Sequence, residues 1–156
     1  EVCALTWDCV DFEQNILTVD KSYIICGDFS GITLPKTTSS VRQIVLLDKS
    51  IEILKQLYKN KISKYVFPNP NNINIPVNPN VVSANFKRFL RRHNIKKIRF
   101  HDLRHIHATL LLNKNINYKI LSKRLGHSNV SFTLQTYTHV IPEHEIQLFK
   151  TLSKIF

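Results

Sequence analysis

The apolar residues keep one spacing before Asp48 and another after it, and that single changeover limits the folds open to this chain. Before it come short β-branched or aromatic runs separated by turn residues, which predict strands at Ile16–Val19 and Tyr23–Cys26. Ile32–Lys36 and Arg42–Leu47 flank a Thr-Thr-Ser-Ser stretch, the pattern of a β-hairpin with a polar loop. Residues 1–7 read as the end of a helix with Val2 and Leu5 on one face. After the changeover the period is helical. Asp48 is placed to cap a helix over about 49–60, where Ile51, Leu54, Leu57 and Tyr58 share a stripe. Further helices are expected at 81–93, 101–113, 118–125, 131–137 and 142–155, while the Pro- and Asn-rich residues 68–80 read as a loop. Gly126 sits where a helix end favours a residue tolerant of positive φ, and Pro142 suits a first helical turn. The expectation is one α+β domain, mostly helical, with a small antiparallel sheet and hairpin followed by a helical bundle.

Its 156 residues suffice to bury a core without staples. No apolar run approaches the roughly 18–20 residues of a membrane span, and the opening EVCALTWDCVDF does not read as a signal peptide. Cys3, Cys9 and Cys26 are odd in number, lack a CxxC pair and read as reduced, partly buried side chains, which fits a cytosolic protein. The chain has no methionine and opens on Glu1, from which a piece excised from a longer protein is expected, with processing as the alternative. Charge is unevenly spread. Residues 1–35 carry one basic and six acidic side chains, whereas residues 36–127 carry nineteen basic against three acidic. That concentration suggests a surface for a polyanion; a lysine-rich solvated surface explains it as well.

Polar function is densest at His101-Asp102-Leu103-Arg104-His105, where positions 101, 104 and 105 share a helix face. Arginine offers a fixed fork of donors and histidine can exchange a proton near neutrality, so the trio suits a phosphate or an oxyanion. His101 and His105 also have the spacing of two zinc ligands on a helix, although Arg104 would set a fixed cation beside the metal. Helix capping or bridging of the core would use the same residues. Leu125-Gly126-His127-Ser128 follows about twenty residues on, and Tyr137-Thr138-His139-Val140 ten residues after that histidine.

In that order the three motifs resemble the signature of the tyrosine recombinases, or phage integrases. Glu1 to Asp11, with Leu5-Thr6-Trp7 and Val10-Asp11, is similar to the family segment that follows its first catalytic arginine, and Pro35-Lys36-Thr37 resembles the hairpin carrying its catalytic lysine. The likeness covers nearly the whole chain. It implies that Tyr137 attacks a DNA phosphodiester, giving a 3′-phosphotyrosyl intermediate and a free 5′-hydroxyl. It further implies that Arg104 holds non-bridging oxygens, that His101 assists proton transfer at the tyrosine, that His127 donates to the phosphate and that Lys36 protonates the leaving oxygen. Glu1 and His105 would support them, His105 by packing or hydrogen bonding; His107 reads as structural and His139 as support for a local turn. The helices after residue 80 and the hairpin near 36–42 would line DNA, which makes Arg42, Lys87, Arg88, Arg91, Arg92, Lys123 and Arg124 the expected DNA-binding side chains. No metal or other cofactor is implied. The implied partners are double-stranded DNA attachment sites and further copies in a synaptic tetramer. The final helix, with Ile146, Leu148, Phe149, Leu152, Ile155 and Phe156, would be exchanged between subunits or packed in cis.

Elementary chemistry asks for the same helpers. A tyrosine with a pKa of about 10 is a weak nucleophile at neutral pH without nearby cations or a base. The attacked phosphate gains negative charge, and one preorganised donor at such a site is worth roughly 3–4 kcal/mol. In the family the first arginine lies three residues before the position of Glu1, and Arg42, Arg88, Arg91 and Arg92 are wrongly placed to replace it. Residues 1–156 are therefore expected to be a catalytic-domain fragment, lacking that arginine and an upstream core-binding domain, and slowed by at least about 10²–10³. A non-catalytic DNA-binding module, a zinc hydrolase and a type IB topoisomerase are the competing readings.

Overall fold

The computed structural model describes residues 1–27, 29–34, 40–114 and 116–126, and falls into two compact units, Glu1–Ile98 and Arg99–Phe156. Among the described residues it is an α+β fold with small antiparallel sheets early in the chain and helices dominating later.

The first unit opens on two 3-10 turns, Val2–Ala4 and Trp7–Cys9, in place of the expected end of a helix. Leu5 and Thr6 between them are extended because their backbone finds a partner across the unit. Val66 N–H donates to the Leu5 carbonyl at 2.9 Å, Trp7 N–H donates to the Lys64 carbonyl at 3.0 Å, and Thr6 pairs with Tyr65. Strands β1 (Val10–Asp11) and β2 (Ile16–Val19) form a tight turn. The Asp11 carboxylate accepts from the backbone of Glu13 and Gln14 at 2.9 and 2.8 Å, and Asn15 takes a positive φ of 56° that asparagine tolerates.

Strands β3 (Ser22–Cys26) and β4 (Phe29–Thr33) make a separate hairpin, with Gly27 at φ 57° in its turn. Strand β5 (Arg42–Val45) does not pair with the strand before it, as the polar loop had suggested; it adds to β2, giving the order β1-β2-β5. The register sets Val19 against Arg42 and Ile16 against Val45.

Helix α1 (Asp48–Lys59) begins one residue earlier than expected, so Asp48 lies in the first turn and is not the cap. Its carboxylate still favours that end electrostatically, while the Leu47 carbonyl accepts from Ser50 and Ile51. Residues 68–80 also hold more than a loop: β6 (Pro68–Asn69) and β7 (Asn72–Pro76) form a short hairpin. Asparagine side chains shape it, Asn69 accepting from Asn71 N–H and Asn72 from Asn74 N–H. Helix α2 (Pro79–Arg92) follows, capped by Asn78, whose side chain accepts from Asn80 N–H at 2.8 Å, with Pro79 in the first turn.

The second unit packs α3 (Asp102–Asn113) against α4 (Tyr118–Leu125) through buried Ala108, Leu112, Leu121 and Leu125, with Leu111 and Tyr118 alongside. Asn117 caps α4 through Lys119 N–H at 2.8 Å, and Gly126 ends it in the left-handed region at φ 72°. The helices expected at 131–137 and 142–155, Pro142 among them, lie outside the described residues. Cys3 and Cys9 are buried and Cys26 exposed, all three as free thiols. Among the described residues no helix is long and apolar enough to cross a membrane.

Candidate active site

Helix α3 presents the first cluster. His101 holds the cap position, and its ring meets that of His105 edge to face with centroids 5.3 Å apart. Arg104, on the same face and half-buried, donates from a terminal nitrogen to the Leu125 carbonyl. That carbonyl belongs to the last turn of α4, where helix geometry leaves C=O groups without an intrahelical partner, so the guanidinium satisfies an orphan and is itself held. An arginine fixed in this way stays charged and keeps a planar fork of five donors in one orientation.

Asp102 does different work. It accepts from Arg99 N–H at 2.7 Å and pairs with the Arg99 guanidinium at 3.0 and 2.8 Å. The Arg99 side chain first, then its backbone N–H, holds the Asp102 carboxyl below its ordinary range. Asp102 thus ties Arg99 to the first turn of α3, while His101 and Arg104 share the neighbouring face with His105. Among the described residues no third histidine, cysteine or carboxylate joins His101 and His105 as a metal cluster would require.

His107, one turn beyond Arg104, accepts a hydrogen bond at Nε2 from Arg124 Nε at 3.2 Å. Burial first, and then the Arg124 cation, push its imidazole below the usual histidine value. The bond needs a lone pair on Nε2, so His107 stands neutral with its proton on Nδ1.

The basic side chains expected on DNA separate into two kinds. Lys87, Arg88, Arg91 and Arg92 are exposed along α2. Lys87, Arg88 and Arg91 line an open groove of about 580 Å³, together with Asn94 and with Lys96 and Lys97, which are not among the side chains expected from sequence. The signal that marks them is a lysine pair immediately after a basic helix. Lys123 is exposed on α4, whereas Arg124 is half-buried against His107. Arg42 departs furthest from expectation. It is 8% exposed and grips Glu1 with both terminal nitrogens, at 2.9 Å to Oε1 and 2.8 Å to Oε2, with a further bond to the Ser40 carbonyl. Its side chain faces the sheet interior, which takes it off the basic surface; Glu1 serves as its counterion. Lys36, His127, Tyr137 and His139 lie outside the described residues.

Comparison with known proteins places these features. The profile of the phage integrase family matches residues 1–144. A XerC-like tyrosine recombinase from Caldanaerobacter subterraneus subsp. tengcongensis is 29% identical over 180 residues, covering 100% of this chain and 46% of that protein. A tyrosine recombinase from Thermosipho africanus is 35% identical over 140 residues, covering 88% of this chain and 47% of its own length. Among solved structures, the Tn1549 transposon integrase in complex with circular intermediate DNA superposes with a TM-score of 0.77 at 25% identity, covering 94% of this chain and 54% of that one. The XerA recombinase shares the fold, with a TM-score of 0.71 at 20% identity over 94% of this chain and 51% of its own. The chain spans about half the length of the curated relatives it matches. With a profile match over residues 1–144 and the HDLRH cluster mounted on α3, the chain belongs to the phage integrase family of tyrosine recombinases.

Proposed function

We propose that the protein to which this chain belongs breaks and rejoins DNA at specific sites through a 3′-phosphotyrosyl intermediate, integrating or excising a mobile element. The observation that carries the reading is the α3 cluster: His101, Arg104 and His105 share one helix face, with the Arg104 guanidinium anchored on the Leu125 carbonyl. Gly126 and His127 follow that carbonyl at once in sequence. A phosphate that gains charge during attack is best met by donors fixed beforehand, because none of their ordering is then left to the moment of reaction.

In this reading Tyr137 supplies the nucleophilic oxygen and its proton leaves with help from His101. Arg104 and His127 take the charge that builds on the non-bridging oxygens, and Lys36 protonates the departing 5′-oxygen. His105 packs against His101 and holds its ring. The phosphodiester bond that breaks is replaced by the tyrosyl ester, so a 5′-hydroxyl can reverse the step with no external energy source, metal or cofactor. The exposed cations of α2 with Lys96 and Lys97, and Lys123 on α4, meet the DNA backbone. Relatives' lengths support reading residues 1–156 as the catalytic part, with the first catalytic arginine and a core-binding domain supplied by the rest of the protein. The substrate is double-stranded attachment-site DNA, held by a tetramer of subunits whose C-terminal helices are exchanged, and the setting is the cytoplasm.

The test incubates the full-length protein with nicked suicide DNA carrying candidate attachment sites. The expected result is an SDS-resistant protein–DNA adduct that survives chelator and disappears in Tyr137→Phe. Tight DNA binding with no adduct at any candidate site would turn the reading toward a non-catalytic DNA-binding module.

A further inference from the structure

We propose that His107 and Arg124 form a positioning pair that sets Arg104 for its work on the phosphate, and that Arg124 acts through this bond and not by touching DNA. The inference rests on the strand-transfer reading above and adds two residues to its machinery.

Beside their apolar core, α3 and α4 are joined by two polar bonds that run in opposite directions. One goes from α3 to α4, Arg104 to the Leu125 carbonyl; the other goes from α4 to α3, Arg124 Nε to His107 Nε2 at 3.2 Å. On α3 the two participants are three residues apart, so they are neighbours on one face. On α4 they are consecutive residues. The acceptor that holds Arg104 is therefore attached directly to the residue that His107 holds. Breaking the Arg124–His107 bond removes a polar constraint one residue from the Leu125 carbonyl, and the guanidinium resting on that carbonyl shifts with it.

The chemistry of each partner is matched to this task. An arginine Nε–H donates in the plane of the guanidinium along one direction, which lysine cannot reproduce. A histidine can accept only while neutral, and partial desolvation first, then the adjacent cation, lowers the imidazole of the otherwise exposed His107 below its ordinary value. Arg124 is half-buried, while Lys123 beside it is exposed. In sequence Arg124 lies three residues before His127.

The experiment measures two quantities for the full-length protein: DNA affinity over a salt series, and the single-turnover rate of adduct formation on suicide DNA. The variants are His107→Ala, Arg124→Ala, the double substitution, His107→Gln and Arg124→Lys. Each alanine variant is expected to slow adduct formation by up to about 10²-fold, the cost of a small misplacement at a reacting centre. DNA affinity and its salt slope stay unchanged, and the double variant is no slower than the slower single one. Glutamine places an acceptor oxygen at similar reach, so His107→Gln regains most of the rate; Arg124→Lys keeps the charge and regains little. Multiplicative effects of the two alanine changes would overturn the pair. So would a salt slope that falls by about 0.9 in Arg124→Ala with an unchanged rate per bound complex, the result for a side chain that neutralises a phosphate. If the unmutated protein forms no adduct, the strand-transfer reading fails first and this inference fails with it. A silent His107→Ala in an active protein sinks the inference alone.

Discussion

Helix α2 and the α3–α4 unit are both rich in basic residues, yet they spend them in opposite ways. On α2 the cations stand in solvent: Lys87, Arg88, Arg91 and Arg92 are exposed, and Lys96 and Lys97 extend the row past the helix end. In the second unit the arginines are committed. Arg99 is tied to Asp102, Arg104 to the Leu125 carbonyl and Arg124 to His107. A solvated cation contributes mainly through its charge and the counterions it displaces, so it tolerates exchange of arginine for lysine. A committed arginine contributes geometry, and its charge alone does not replace it. The contrast predicts that the number of charges governs one region and placement the other.

The largest effect that this contrast predicts is at Arg104. Arg104→Lys keeps the cation and loses the planar fork, and adduct formation by the full-length protein should fall about 10²–10³-fold. DNA affinity should barely move. An Arg104→Lys protein that cleaves at close to the unmutated rate would show that charge alone suffices on α3, and the distinction between the two regions would collapse.

The exposed row gives the opposite signature and a smaller one. Replacing Arg88 and Arg91 by glutamine should lower the salt slope of DNA binding by about 1.8, some 0.9 for each phosphate that is no longer neutralised. Replacing the same two by lysine should leave the slope intact. A slope that stays put in the glutamine variant would take these residues off the DNA, whatever their exposure. A slope that falls in the lysine variant would mean that α2, too, relies on arginine geometry.

How far the sequence alone reaches follows the same division. Helices α3 and α4 were legible to within a residue, and Gly126 takes the positive φ expected of it, whereas α2 starts at Pro79, two residues earlier than expected, because the Asn78 cap lay in a stretch whose composition reads as loop. The sheet pairings were not legible. Whether Arg42–Val45 joins Phe29–Thr33 or Ile16–Val19 depends on long-range register, and a polar stretch between two strands looks the same in either case. The hairpin at 68–76 was hidden by composition, since Pro and Asn usually mark loops, while here asparagine side chains build the turn. In the site, the motif residues were named from their resemblance to the family signature, and neither that resemblance nor spacing says what a basic side chain is bonded to. Arg42, Arg124 and Arg88 look alike in a sequence. One is buried on a carboxylate, one is bonded to a histidine and one is in solvent.

Arg42 is the sharpest single probe of that blind spot, and its effect is the smallest of the three. Its guanidinium forms two parallel bonds with Glu1 from a position 6% exposed, while the Glu1 side chain is 40% exposed. Solvent on the carboxylate side discounts the pair below a fully buried one, so its charge-assisted bonds contribute about 1–2 kcal/mol. Arg42→Lys preserves the charge but can make only one of those bonds, and β5 loses part of its tie to the first turn of the chain. Melting should drop by about 2–8 °C at this chain length, read by the loss of ellipticity on heating. The salt slope of DNA binding should not change, since a buried, paired arginine displaces no counterion. Unaltered melting together with a slope reduced by about 0.9 in Arg42→Ala would place Arg42 on DNA after all. The sequence expectation would then hold against the buried ion pair, and the difference between solvated and committed cations would have to be redrawn with Arg42 on the other side.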